Sequence, residues 1–438
     1  MRQHLKGDQM ILIKNGRVID PLSGFDGTAN ILIEDGKVQR FECGQTDRFS
    51  GPADAHVIDA AGLIVAPGLI DVHSHFREPG QTEKESIATG AKAAAAGGYT
   101  TVLCLANTAP PIDSKKLLLA NIEEGRKSGI NILQNACVTI GMQGKTVVDM
   151  EALLDAGAVG FSDDGKPITD VKVISEAMRC AAASGAVISL HEEDPAFIKG
   201  AGINEGSVSS KLGLDGAKAA AEDVMVARDC MIALETGARI NIQHVSSANS
   251  VAMIRLAKSL GADVWAEATP HHFSLTEDSV TEHGTNARMN PPLRTEADRL
   301  AVIEGLKDGT LDMIATDHAP HTAEEKARPF AAAPSGIIGL ETALGLGIRS
   351  LVEPGYLSLM DLVRLMSTQP ARMYGMEPVS IQAGYPADIV LFDPAGKWTV
   401  STFASRSSNS PFTGWELPGK VHATICGGRI VYLKDPSA

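Results

Sequence analysis

The stretch Asp71-Val72-His73-Ser74-His75-Phe76-Arg77-Glu78-Pro79-Gly80 follows an apolar run, Leu63 to Ile70, that reads as a buried strand. Its two histidines emerge where that strand gives way to a loop. Side chains alternate along an extended chain, which sends His73 and His75 to the same side, where two imidazoles can share a metal ion. A neutral histidine satisfied by backbone partners is the commoner fate of an isolated one, so the weight must come from the rest of the chain.

Working outward, strand and helix patterns alternate regularly. Apolar runs predict strands near 64–72, 100–106, 130–138, 158–163, 186–191, 239–244, 263–269 and 311–316. Helical periodicity fills gaps between them over 84–96, 114–127, 171–183, 217–235, 247–259 and 296–306. Eight strand and helix units predict an α/β fold closed as a (β/α)8 TIM barrel over residues 67–375. An open doubly wound sheet is the competing architecture, but it needs a glycine-rich phosphate loop after its first strand, and this chain has none there. Both chain ends have a different texture. Short strands with turns at Asn15-Gly16 and Asp35-Gly36 precede the barrel, and similar strands return at 387–393 and 421–431. Residues 1–66 and 376–438 are therefore expected to form one composite β-sandwich domain, with the barrel as an insertion.

The 438 residues suffice for a large barrel with an appendage, and 44% hydrophobic content with only 4% aromatic suits small side chains packed on a sheet. A formal net charge of −14 argues against nucleic acid or an anionic membrane surface as partner, and any anionic ligand needs a local cationic pocket. The six cysteines are scattered and read as reduced core residues of a cytoplasmic protein. Residues 1–10 lack the pattern of a signal peptide, and no apolar run is long enough to span a bilayer.

A barrel carries its chemistry at the C-terminal ends of its strands. Besides His73 and His75, those ends offer Asp163-Asp164, His191, His244 and Asp317. Imidazoles with a bridging carboxylate suit two zinc-like cations with an activated water between them, and a further carboxylate can shuttle the proton. Alternation lets only one of Asp163 and Asp164 face the barrel mouth, and the residues alone leave that choice open. Arg77 offers a planar fork for a carboxylate, with a surface ion pair to Glu78 as the alternative. The His271-His272 pair also sits at a strand end and is a further possible ligand; His318 reads as a loop residue, and His4, His56, His283 and His422 as structural or solvated.

The stretches 71–80, Phe161-Ser162-Asp163-Asp164-Gly165, Asn290-Pro291-Pro292-Leu293-Arg294 and Ala315-Thr316-Asp317-His318-Ala319-Pro320-His321 resemble the dihydroorotase family of the amidohydrolase superfamily, and the similarity runs along essentially the whole chain. That resemblance implies reversible hydrolysis of dihydroorotate to N-carbamoyl-L-aspartate in pyrimidine synthesis, with one or two Zn2+ ions per chain, two being favoured. It implies His73 and His75 at the more buried metal, His191 and His244 at the more exposed one, Asp164 as the bridge, and Asp317 as metal ligand and catalytic general acid and base. Arg77, Asn107 and His321 are implied to hold the substrate carboxylate, and Asn290, Pro334, Ser335 and Gly336 to meet the ring. Many relatives bridge their metals with a carbamylated lysine on the fourth strand; here 158–164 contains none, which matches the type with an aspartate bridge. The resemblance further implies a homodimer and association with aspartate transcarbamoylase. A cyclic amidase acting on hydantoin or allantoin, and a non-catalytic scaffold for the transcarbamoylase, are the alternatives. Residues 321–335 are long and polar enough for a lid, or for an ordinary ordered loop.

Overall fold

The structure is a computed structural model that describes residues 10–44, 52 and 54–434; His4 and the rest of the N-terminal reading lie outside the described residues. Seven parallel barrel strands run in chain order: Leu69–Ser74, Tyr99–Cys104, Asn131–Gln134, Val187–Leu190, Arg239–Ile242, Val264–Ala268 and Met313–Ile314. The expected fourth strand, 158–163, is reduced to Phe161, which makes single parallel bridges to Ala136 on one side and Ile188 on the other. Its run contains Gly160, where an added Cβ would meet the Asn135 side chain at 2.9 Å, so the neighbouring strands crowd this position. The ring closes by a parallel bridge between Ser74 and His318, with the His75 amide donating to the His318 carbonyl at 2.8 Å.

Local chemistry explains most helices on the outside. Ser86 and Thr89 form a capping box that starts the alanine-rich helix Ile87–Ala96. Asp170 caps Val171–Ser184, which ends on Gly185 at φ 69°, and Ser247 caps Ala248–Ser259. A Thr295/Asp298 box opens Glu296–Asp308. Periodicity does not reveal the short helix Ala343–Gly347, because all its residues are buried and leave no polar face to mark a period.

The two chain ends share one sheet. Its order is Arg429–Leu433, Lys420–Cys426, Ile389–Asp393, Ile64–Pro67, Ile11–Asp20, Phe25–Glu34 and Lys37–Cys43, with His56–Asp59 also paired to Ile11–Asp20. The sheet curls so that Ile11, Ile13, Ile31, Ile33 and Val38 share a core with Ile389, Leu391, Ala423 and Ile425. Asp35-Gly36 is the expected turn, with φ 51° and 74°. Asn15-Gly16 is not. Asn15, at φ 63°, sits at an irregularity in register within one continuous strand, where its amide donates to Asn30 Oδ1 at 3.0 Å.

The apolar run 64–72 is likewise not one strand. Ile64–Pro67 belongs to the end sheet and Leu69–Ser74 to the barrel, and the chain crosses between them at Gly68. The Gly68 amide donates to Asp388 O at 2.9 Å, and an added Cβ would lie 2.2 Å from Thr100 Oγ1 and 2.8 Å from Thr100 Cβ. Replacing Gly68 by alanine is expected to destabilise the protein by about 1–3 kcal/mol through this overpacking. A melting temperature equal to wild type would show that the crossing does not depend on this close approach.

Candidate metal centre and its surroundings

The Leu69–Ser74 strand turns His73 inward, and His75 follows one alternation later, leaving the rings T-shaped with centroids 5.3 Å apart. Closure of the barrel brings Asp317 to them, with Oδ1 lying 3.4 Å from His73 Nε2 and 3.0 Å from His75 Nε2. From the fourth position Asp164 reaches into the middle. Its Oδ1 is 3.5 Å from His73 Nε2, 3.4 Å from His191 Nδ1 and 3.6 Å from His244 Nε2, and its Oδ2 is 3.5 Å from His75 Nε2. Asp163 faces the other way and accepts from the backbone amides of Val138 and Thr139 and from the Thr139 hydroxyl. Of the two adjacent aspartates, only Asp164 is in the mouth.

The donors around this point fit a cation. Asn107 Nδ2 donates to the Asp164 carbonyl and to Oδ2, so its Oδ1 accepts from His75 Nδ1 at 2.9 Å and leaves His75 Nε2 as a lone pair beside Asp317. Glu267 takes His73 Nδ1 at 3.0 Å, leaving His73 Nε2 in the same state. Among the described residues, His73 Nε2 and Asp164 Oδ1 are buried and have no hydrogen-bond partner. Lone pairs facing carboxylate oxygens repel unless positive charge lies between them. Among the described residues, two groups have ligand atoms all within 4.8 Å of one another: His73, Asp164 and His244, and His73, His75 and Asp317. His191 belongs to neither, although its Nδ1 lies 2.9 Å from His244 Nε2.

The electrostatics agree. Burial lowers the His73 and His191 imidazoles, but Glu267, Asp317 and Asp164 lift His73 well above its ordinary range, and Asp164 and Glu193 lift His191 to about 10. Burial raises Asp164 and Asp317, yet their histidine neighbours hold both below the carboxylate range. His244 and Asp317 both hold left-handed backbone, at φ 36° and 48°, a conformation that side chains tolerate at a cost of about 1–2 kcal/mol.

Arg77 is partly buried, and its Nε donates to Pro320 O at 3.3 Å. Burial lowers it to about 10, so it stays charged at neutral pH. Glu78 does not pair with it and instead accepts from the Ile87 amide. His321 donates from Nε2 to Ser335 O at 2.9 Å, and burial with the nearby Arg77 charge holds it at about 3, hence neutral. Asn290 Oδ1 accepts from the Ser335 hydroxyl at 3.1 Å. The backbone of 334–336 is already engaged: Lys326 Nζ donates to Pro334 O and Gly336 O at 3.1 and 2.9 Å, and the Gly336 amide donates to Arg288 O. These ties and the helix Ala323–Lys326 give residues 321–335 hydrogen-bonded anchors to the barrel rim.

His272 is satisfied by Thr269 Oγ1 and Pro291 O, and His271 joins neither metal group. His318 lies between Glu85 and the Gly339 amide. Of the cysteines, Cys43 and Cys180 are exposed rather than core residues, since each lies where a strand or helix turns a side to solvent. Sequence patterning passes over Asp71, Glu193 and Glu267. A carboxylate inside the otherwise apolar strand Val264–Ala268 is the signal that marks Glu267.

Residues 64–431 match the Amidohydrolase family. The chain is 54% identical to a dihydroorotase of Clostridioides difficile (strain 630) over 424 residues, covering 97% of this chain and 100% of that protein. It is 49% identical to a dihydroorotase of Lactococcus lactis subsp. lactis (strain IL1403), covering 96% of this chain and 99% of that protein. Among solved structures it resembles an L-hydantoinase (dihydropyrimidinase) from Arthrobacter aurescens with TM-score 0.85 and 26% identity, covering 97% of this chain and 96% of that one.

The two aspartates separate experimentally. Asp164→Asn is expected to lower the metal bound per chain, whereas Asp163→Asn keeps the metal and lowers the melting temperature; equal metal loss in both would refute the assignment of Asp164 alone to the mouth. Lys326 gives a pH signature. Burial lowers its ammonium from 10.5 to about 7. Between those values only the unfolded chain holds the proton, so its contribution to stability grows as pH rises from 7. Lys326→Met should therefore cost more stability at pH 9 than at pH 6, as read from melting temperatures in the two buffers.

Proposed function

The chain belongs to the amidohydrolase family and, within it, to the dihydroorotases, and from that membership and the geometry of the barrel mouth we propose that it interconverts dihydroorotate and N-carbamoyl-L-aspartate in pyrimidine biosynthesis. The observation that carries the reading is a partly buried, charged Arg77 next to a cluster of metal-type ligands in a chain of net charge −14. A cationic fork in an acidic protein, with no ion pair among the described residues, suits a substrate carboxylate.

His73, His75, Asp164, His191, His244 and Asp317 are the proposed holders of Zn2+, two per chain. When bound, the metal supplies Lewis acidity toward the ring carbonyl and toward water. Asp317 does the proton work: held ionised by His73 and His75, it takes a proton as water adds to the carbonyl carbon. It then delivers that proton to the amide nitrogen as the ring bond breaks. The backbone of Asp317 sits in the left-handed region, and its Oδ1 is fixed between two rings, so the carboxylate is oriented before substrate arrives. In the closing direction the same group removes the proton from the carbamoyl nitrogen.

Arg77 receives the exocyclic carboxylate, flanked by Asn107 and His321. Asn290 and the Pro334, Ser335 and Gly336 stretch border the ring. The neutral state of His321 keeps a second cation from competing with Arg77 for the carboxylate. Homodimerisation, association with aspartate transcarbamoylase and a cytoplasmic location belong to the same proposal; six free thiols suit a reducing compartment. No helix among the described residues is long and apolar enough to cross a membrane.

The likeness to a hydantoinase supports a second reading, a cyclic amidase for rings without the carboxylate. The two are separated by assaying dihydroorotate and hydantoin, with and without chelation, alongside zinc per chain. Dihydroorotate turnover that chelation abolishes is expected, and Asp317→Asn should lower kcat by about 10²–10⁴-fold. Arg77→Met should lower kcat/KM for dihydroorotate roughly 10- to 150-fold, the loss of one charged hydrogen-bonded contact. Hydantoin turnover in wild type that exceeds dihydroorotate turnover and survives Arg77→Met would favour the second reading.

A further inference from the structure

We propose that Glu267 and Glu193 are positioning residues, each fixing the ring of one metal-type histidine, Glu267 that of His73 and Glu193 that of His191. This rests on the metal-dependent reading above and extends it to residues that touch neither metal nor substrate.

Glu267 lies on the strand Val264–Ala268 and is fully buried. Its Oε2 is 3.0 Å from His73 Nδ1, and its Oε1 accepts from Asn241 Nδ2 at 2.6 Å, which holds the carboxylate from behind. Gln243 Nε2 lies 3.3 Å from the same His73 nitrogen, but both of these are donors when Nδ1 carries hydrogen. The shorter contact to a charged acceptor decides the matter: with a metal bound, His73 Nδ1 keeps its proton and Nε2, facing Asp164 and Asp317, is the nitrogen left to ligate.

Glu193 does the same from another strand end with the opposite ring nitrogen. Its Oε2 lies 3.0 Å from His191 Nε2, which leaves His191 Nδ1 facing Asp164 Oδ1 at 3.4 Å and His244 Nε2 at 2.9 Å. The neighbouring Glu192 has no part in this. It is buried toward Asp229 and Arg228, and burial together with Asp229 raises its carboxyl well above the usual range. Alternation along 191–193 places Glu193, not Glu192, on the side of His191. His75 receives a neutral amide, Asn107, instead of a carboxylate, and His244 Nδ1 has no partner among the described residues. The two carboxylates therefore act on two different rings: His73, which belongs to both groups, and His191, whose Nδ1 lies beside His244. A carboxylate behind a ligating imidazole fixes its tautomer and raises its basicity, and removing it weakens metal binding by about 10–100-fold.

The test is a competitive zinc titration of the metal-free full-length chain, wild type against Glu267→Gln, Glu193→Gln and Glu192→Gln, with cobalt(II) absorption spectra of the loaded proteins. Expected are two equivalents in wild type and in Glu192→Gln. Glu267→Gln should weaken the tighter equivalent about 10–100-fold and alter its cobalt band, while Glu193→Gln leaves that equivalent unchanged and weakens the other. Should Glu267→Gln fold poorly, Asn241→Ala keeps the carboxylate, frees its rear oxygen, and should weaken the same equivalent to a smaller degree. Two equivalents in wild type with unchanged affinities in both variants would overturn the assignment alone, as would equal weakening of both equivalents by either variant. A wild-type chain that binds no zinc would overturn the functional reading and this assignment with it.

Discussion

The barrel is closed by a contact between its first and last strands, and everything at its mouth depends on that seam. Asp71, fully buried, accepts from the Thr316 amide at 2.8 Å and from the Thr316 hydroxyl at 2.7 Å. Four residues on, the His75 amide donates to His318 O. These bonds set the register between a strand ending in His73 and His75 and a strand ending in Asp317, residues more than two hundred positions apart in the chain. A slip by one residue would turn the histidines away from the aspartate, because strand side chains alternate. The buried Asp71 carboxylate is thus a registration device: leaving its partners unpaired in the core costs more than the seam costs to form.

A second constraint is electrostatic. The mouth gathers Asp164, Asp317, Glu267 and Glu193 around four imidazoles, an excess of acceptors over donors that only positive charge satisfies. At the rim stand Arg77, His321 and Lys326, and burial lowers all three. They respond differently because their ordinary values differ. Arg77 has charge to spare and remains cationic, His321 is driven neutral, and Lys326 comes within reach of neutral pH while tying down the backbone of 334–336. One permanent cation thus faces the mouth, beside an ordered wall.

Much of the barrel was legible because it is built from repeated local signals. Helices were legible from their apolar periodicity, and in the structure Ser86, Asp170, Ser247 and Thr295 cap four of them by satisfying free amides of the first turn. The histidines and Asp317 were legible because strand ends could be counted. Signals failed where one local pattern serves two environments. The stretch 64–70 is apolar throughout, yet it contributes to two sheets, since both bury it. Asn15-Gly16 has the composition of a turn, but left-handed backbone also makes a bulge, and the pairing on both sides of it selected the bulge.

The order of strands and helices, the metal-type residues at the strand ends and the lone arginine after the histidine pair were determined by the sequence itself, through periodicity and side-chain chemistry. Three things were decided only by tertiary structure. The choice of Asp164 over Asp163 follows from the Val138 and Thr139 amides, which capture Asp163. The fate of Arg77, free of Glu78, follows from a helix N-terminus that takes the glutamate. The proton positions on His73 and His191 follow from Glu267 and Glu193, of which Glu267 lies far along the chain from its histidine. Each is a competition among hydrogen-bond partners, and such a competition has no outcome until the fold has brought the competitors together.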